Sequence, residues 1–264
     1  MPQVESKTFN SSKNGVPLVR LDYLTEKRIW VLSLLNEETK DNRLTHELIR
    51  DGVVAALREV RATWQKWVEE DTTDDGAALV TTAALDAKIW SNGLDLFTAI
   101  ADPTFFNEYL NVMFLELLTF PIPTVASVGG HAFAAGFSLA CAHDYRVQNG
   151  KRGYMCLNEI EFGAPIPSGM MASMRSATVS FESLRKCVLE GYRFDARDAV
   201  AYGFADVIAE GDGYDGPQGT LKRSLELAES LRSRCVKNAW QTNKEVLYQD
   251  LIAVMKRPDA QSKL

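Results

Sequence analysis

Residues 129–147, GGHAFAAGFSLACAHDYRV, gather glycines and alanines around one histidine and then run into an apolar stretch of helical character. Small residues let a backbone come close to another group. A helix start offers unpaired N–H groups that favour an anion or a developing negative charge. The stretch is therefore either part of a site or a place of tight packing, and the residues alone leave both readings open. Before it lies PIPTVASVGG, which reads as a strand. After Val147 short strands are expected around NGKRG, which reads as a hairpin turn. Upstream, AALVTTAAL reads as a buried strand and residues 103–119 as a helix, so strand, helix and strand alternate in the rhythm of an α/β fold.

The same reading extends to both ends. PLVRLDYL and RIWVLSLL, parted by the polar TEK, predict a β-hairpin. Residues 43–70 place Leu48, Val53, Ala56, Leu57, Val60, Trp64 and Trp67 at helical spacing, which predicts a long amphipathic helix. Beyond the central stretch, helices are expected over 180–190, 195–203, 218–237 and 239–256, with Gly191 and Gly203 as stops. The Gly- and Asp-rich EGDGYDGPQGT should be a loop. It divides an expected core over 1–210 from a helical region over 211–264.

At 264 residues the chain can bury a sizeable core. A formal charge of -6 argues against nucleic acid or an anionic membrane surface as the main partner. The four cysteines, Cys141, Cys156, Cys187 and Cys235, are scattered and only three histidines could join them, so core thiols are expected rather than a metal site. No apolar run is long enough to span a membrane, and MPQVESKTFN lacks the apolar region of a secretion signal, so a soluble intracellular protein is expected. Ser262, Lys263 and Leu264 spell SKL at the C-terminus, a signal read by the peroxisomal import receptor. The expected address is the peroxisome.

Three stretches stand out as carriers of chemistry: KIWSNGLDL at 88–96, the central stretch, and LNEIEFGAPIPSG at 157–169. Each is a glycine-bearing turn after a strand. The turn at Asn92 and Gly93 and the one at Ala135 and Gly136 both open helical segments, where two N–H groups aimed at one point would make an oxyanion hole. Glu159 lies between apolar neighbours, which raises a carboxyl pKa and suits it to proton transfer near neutrality. Glu161 is the alternative base. His131 and His143 are expected to be packing residues, and Asp95 and Asp144 turn or capping residues.

Taken in order, WSNGLDL, PIPTVASVGGHAFAAG with AHDYRV, LNEIEFG and GYRFDARDAVAYGFADVI resemble the crotonase, or enoyl-CoA hydratase/isomerase, superfamily over roughly residues 15 to 255, and within it most nearly the peroxisomal Δ3,Δ2-enoyl-CoA isomerases. The resemblance implies an α/β spiral of repeated ββα units with a C-terminal helical region, usually assembled as a homotrimer or homohexamer. It implies an acyl-CoA substrate, with CoA as part of the substrate rather than a separate cofactor. By the family pattern, the N–H groups of Leu94 and Ala135 form the oxyanion hole. Of the two glutamates that hydratases carry, one position falls on Ser138 and the other on Glu159. One remaining carboxylate suits a double-bond shift, with Glu159 moving a proton from C2 to C4. Lys88, Trp90, Asn92, Gly93, Phe97, Gly136 and Phe162 are the expected substrate contacts, with Lys88 toward the CoA, and Phe114, Phe133, Met170 and Met171 are further candidates for the acyl pocket. The spacing from Asp144 to Glu159 is one residue longer than the usual hydratase pattern, which is what keeps Glu161 open.

Overall fold

A computed structural model describes residues 4–257. The predicted hairpin is present. Strands β2 (Pro17–Leu24) and β3 (Ile29–Leu34) pair antiparallel, and β1 (Val4–Asn10), which the sequence reading did not include, adds to the outer edge. The long amphipathic helix is present too, although its first turns, Leu48–Val54, are π-helical before α1 (Ala55–Glu69) becomes regular. Leu48, Val53, Ala56, Leu57, Val60 and Trp64 are buried, and Trp67 stacks on Trp30 at 5.1 Å between ring centroids.

From there the chain winds as a spiral. Each turn lays one strand in a large sheet, one in a small sheet, and then a helix. The first turn is β4 (Ala78–Ala83), β5 (Ile89–Ser91), α2 (Leu96–Ala101) and α3 (Asn111–Leu118). The second is β6 (Thr124–Val128), β7 (His131–Phe133) and α4 (Ala135–Cys141). The third is β8 (Tyr145–Asn149), β9 (Met155–Cys156), a 3₁₀ turn at Glu159–Phe162 and α5 (Ser168–Ala177). α6 (Phe181–Glu190), α7 (Ala196–Ala201) and β10 (Val207–Ala209) follow. Gly191 and Gly203 stop α6 and the α7 turn in left-handed conformations, as the sequence predicts. The large sheet runs β1-β2-β3-β4-β6-β8-β10, parallel from β3 onward, and the small one β5-β7-β9, all parallel. The ββα spiral is the architecture expected from the resemblance.

Two features of the third spiral turn depart from expectation. NGKRG is not a hairpin turn, because β8 stays in the large sheet while β9 crosses to pair with β7. The crossing is held by the Asn149 Oδ1, which accepts the N–H groups of Lys151 and Arg152, and by Gly153, whose φ of 95° and close approach to Gly130 leave no room for a side chain. The second is α5, a helix the sequence reading omitted. It begins after Pro167 and needs Gly169, since any Cβ there would strike the Asn111 amide.

The large sheet is covered on both faces. α8 (Gly216–Leu231) packs Leu221, Leu225 and Ala228 against Ile29, Val31, Val80, Val125 and Val147. The other face carries the main core. The last predicted helix is broken at Tyr248 into α9 (Ala239–Leu247) and α10 (Gln249–Met255). The Asn111 Nδ2 donates to the Met255 carbonyl at 3.2 Å, tying α10 to α3. Asp144 is a buried ion-pair partner rather than a turn or cap. Its Oδ1 lies 2.7 Å from the Lys244 ammonium of α9, and its Oδ2 accepts from the N–H and hydroxyl of Thr124. Lys244 also donates to the Leu117 carbonyl at 2.8 Å. The four cysteines are buried free thiols. Among the described residues no helix is long and apolar enough to cross a membrane.

Candidate active site

The three chemistry-bearing stretches turn out to be equivalent corners. Each leaves the C-terminal end of a strand of the small sheet: Asn92–Gly93–Leu94 after β5, Ala134–Ala135 after β7, Asn158–Glu159 after β9. Neighbouring strands lie about 5 Å apart, so the three corners fall within roughly 10 Å of one another across that edge. They meet at a cavity of about 430 Å³, to whose wall the three corners contribute Asn92, Leu94, Ala134, Asn158 and Glu159. Leu96, Ile100, Phe106, Phe162, Pro165, Pro167 and Met170 line the rest.

Backbone pinning sets the direction of the two N–H groups. The Gly93 carbonyl accepts from the Leu44 N–H at 2.7 Å. In a trans peptide C=O and N–H point opposite ways, so the Leu94 N–H is turned away from Leu44, and Leu94 is itself a wall residue of the cavity. The Ala134 carbonyl accepts from the N–H groups of Phe137 and Ser138 at 3.0 and 3.2 Å, so it points into α4 and the Ala135 N–H points out of it. Neither N–H has a backbone acceptor among the described residues. This flipped peptide requires Ala134 at φ 51°, ψ −128°, a conformation that glycine adopts freely and alanine does not. The two turns touch. A Cβ on Gly93 would sit 2.7 Å from the Ala134 Cβ and 3.1 Å from the Ala135 nitrogen, and one on Gly136 would sit 2.5 Å from the Ser91 carbonyl oxygen. Thus the small residues of the central stretch let the two turns pack closely, which is the packing reading of that stretch.

A segment that the sequence reading passed over buttresses the first turn. Asn92 donates its N–H to the Asp41 carbonyl at 3.0 Å and its side-chain amide to the Asp41 carboxylate at 2.9 Å. The Ser91 hydroxyl donates to the Asn42 carbonyl at 2.8 Å.

Glu159 opens the 3₁₀ turn and is 6% exposed. Its Oε2 has no hydrogen-bond partner. Burial drives its pKa up to about 7, opposed only by its own backbone N–H. Among the described residues on the cavity wall it is the one carboxylate. Glu161 is exposed and lies 3.5 Å from Arg193, away from the cavity. The 3₁₀ turn therefore separates two glutamates that a strand would have placed together. Ser138 is fully buried within α4, and its carbonyl accepts from the Ser173 hydroxyl of α5.

Several expected contacts lie elsewhere. Trp90 and Phe114 are core residues, Phe133 packs on the His131 ring, and Met171 is half-buried against the core, and none of the four lines the cavity. Gly136 is occupied by its contact with Ser91. Lys88 is exposed, and Phe97 is 88% exposed and outside the cavity wall. Asn92, Gly93 through its neighbours, Leu94, Phe162 and Met170 are at the site. The sequence reading missed Leu96, Ile100, Phe106, Ala134, Asn158, Gly163, Ala164, Pro165 and Pro167. Only the apolar i, i+4 pair Leu96 and Ile100 carried a signal for it. His143 is buried and neutral: its Nδ1–H donates to the Leu139 carbonyl, its Nε2 accepts from the Thr81 hydroxyl, and burial lowers its pKa to about 4. His131 accepts from the Tyr154 N–H, and its pKa is lowered by burial and then by Lys88, Arg152 and Arg193. Asp95 begins α2 and accepts from the Thr98 hydroxyl. Ser262, Lys263 and Leu264 lie outside the described residues.

A family model described as enoyl-CoA hydratase/isomerase matches residues 34–251. The peroxisomal enoyl-CoA delta isomerase 1 of Arabidopsis thaliana is 28% identical over 210 residues, 78% of this chain and 80% of that protein. The peroxisomal enoyl-CoA delta isomerase 2 of the same plant is 32% identical over 168 residues, 60% of this chain and 68% of that protein. Among solved structures, an enoyl-CoA isomerase of Mycobacterium tuberculosis superposes with a TM-score of 0.69 at 23% identity, over 90% of this chain and 95% of that one.

Proposed function

The chain belongs to the enoyl-CoA hydratase/isomerase family, and from that premise we propose that it shifts the double bond of a 3-enoyl-CoA to give the trans-2-enoyl-CoA. The Glu159 carboxylate takes a proton from C2, and the electron pair released delocalises through the C3–C4 double bond and onto the thioester oxygen. The N–H groups of Leu94 and Ala135 donate to that oxygen, where the negative charge collects. The protonated Glu159 then returns the same proton to C4, the double bond settles between C2 and C3, and the enzyme is regenerated. The step is balanced with the CoA of the substrate and no further cofactor.

The observation that carries this reading is the isolation of Glu159. A carboxyl whose pKa is about 7 is matched both to accept and to return a proton near neutrality. Adding water across the double bond calls for a second acid–base group to hold and split the water, and the position where hydratases carry one is the buried Ser138. The peroxisomal isomerase relatives support the same reading and, with the SKL tail, a peroxisomal address. Homotrimeric or homohexameric assembly is part of the proposal and is read by light scattering.

The test is direct. Purified protein supplied with 3-hexenoyl-CoA should produce the conjugated thioester, followed by its ultraviolet absorbance, and Glu159→Gln should lose most of that rate while retaining acyl-CoA binding. Full activity in the Gln variant, or water addition to 2-hexenoyl-CoA outpacing isomerisation in the parent protein, overturns it. A fluorescent fusion ending in SKL should collect in peroxisomes and disperse when those three residues are removed.

A further inference from the structure

The two donor turns are anchored very differently by their own elements. The second lies between β7 and α4, a helix buried along its whole length. The first follows β5, an edge strand of the small sheet, and leads into α2, in which Ala99 alone is buried. Residues 41–44 make up the difference by running along the open edge of β5. The Asp41 carbonyl accepts from the Asn92 N–H, the Asn42 carbonyl from the Ser91 hydroxyl, and the Leu44 N–H reaches the Gly93 carbonyl, giving a parallel bridge between Leu44 and Leu94. Asn42 takes a left-handed φ of 49°, and its side-chain amide donates to the Trp90 carbonyl at 3.2 Å, so a side chain supplies one rung of this ladder.

One further rung is made by a charge. The Asp41 Oδ2 accepts from the Asn92 Nδ2 at 2.9 Å and lies 3.0 Å from the Arg43 Nε. A hydrogen bond to an ionised group is roughly twice as strong as one between neutral groups. Arg43 offsets a negative charge that would otherwise oppose charge collecting near the Leu94 N–H, two residues from Asn92. We infer that Asp41 is a positioning residue for the reaction: through Asn92 it holds the Gly93–Leu94 peptide so that the Leu94 N–H keeps its aim at the thioester oxygen. This rests on the proposed function for the place where the charge collects. A hydrogen bond weakens steeply as its angle departs from linear, so a loosened turn blunts the donor without emptying the cavity.

Hexanoyl-CoA, isotope-labelled at the thioester carbonyl, is bound to the full-length protein and its carbonyl stretch is read by infrared difference spectroscopy. In the parent the stretch should lie below its frequency in water, as two donors polarise the bond. Asp41→Ala, which leaves the backbone rungs in place, should give back part of that shift with little change in hexanoyl-CoA affinity. Its kcat on 3-hexenoyl-CoA should fall about tenfold at unchanged KM, short of the roughly 10²–10³ that removing a donor outright costs. Asp41→Asn, whose amide oxygen still accepts from Asn92, should recover both readouts. In an Asn92→Ala background Asp41→Ala should change neither, because the partner is already gone. An unshifted carbonyl in the parent, the parent frequency retained in Asp41→Ala, an Asp41→Asn as impaired as Asp41→Ala, or a further loss in the Asn92→Ala background overturns the inference. If the parent shift is present and relaxes in Asp41→Ala while 3-hexenoyl-CoA is left unconverted by the parent, the role of Asp41 in aiming the donor stands and the isomerase reading falls.

Discussion

Replacing Glu159 by Gln should make the protein more stable at alkaline pH while disabling it. Burial without a hydrogen-bond partner for Oε2 raises the carboxyl from an ordinary 4.5 to about 7. Between those values the unfolded chain has released its proton and the folded protein has not, so the native state binds more protons and stability falls as pH rises. At about 1.4 kcal/mol for each tenfold change in the ionisation constant, the loss amounts to about 3 kcal/mol and is complete above pH 7. Gln is close in shape and carries no charge, so the variant escapes this loss. The assay is urea unfolding of both proteins at pH 5, 6, 7 and 8, reading the difference between them, which cancels His131, His143 and every other group titrating in common. The difference should shift steadily in favour of the Gln variant, by about 2.5 kcal/mol from pH 5 to 8. A difference that does not change with pH would show that the Glu159 carboxyl titrates as in water, and the account of its basicity would go with it.

The free enzyme should need ionised Glu159, so kcat/KM is expected to rise with pH to a plateau above about 7; a profile flat from pH 5 to 8 contradicts this. Asn158→Asp sets a second carboxylate beside it on the cavity wall, and the rising limb should move up by about one pH unit, as like charges oppose ionisation. Gly93→Ala, driving a methyl into Ala134 and the Ala135 nitrogen, should cut kcat by about 10²-fold with the fold intact by circular dichroism. Ala134→Gly should relieve the backbone at φ 51° and gain about 1 kcal/mol in urea unfolding with activity retained. Lys244→Met strands Asp144 in the interior and should cost about 3–5 kcal/mol, most of it restored on adding Asp144→Asn.

What the sequence made legible were the parts governed by backbone and by one chemical type. Glycine and alanine at 93, 135 and 136 mark close backbone approach wherever they fall, and Glu159 in an apolar setting already implies a raised pKa. The walls of the cavity were not legible, because a phenyl ring reads alike whichever way it faces. Phe97, Phe114 and Phe162 occupy surface, core and cavity respectively, and only the packing of α2, α3 and the 3₁₀ turn distinguishes them. The local pattern around NGKRG announces two strands and a turn but carries nothing about which sheet receives the second strand. The Asp144–Lys244 pair joins residues whose separation in the chain hides it from any local pattern.

The three corners at the edge of the small sheet also impose an order of manufacture. Synthesis proceeds from the N-terminus, so the proposed donors at Leu94 and Ala135 exist before Glu159 emerges, and Glu159 lies on the corner that follows β9, the strand paired with β7. Because the corners belong to separate turns, the proposed grip on the thioester and the proposed proton carrier sit on different pieces of chain. One can change while the other is kept.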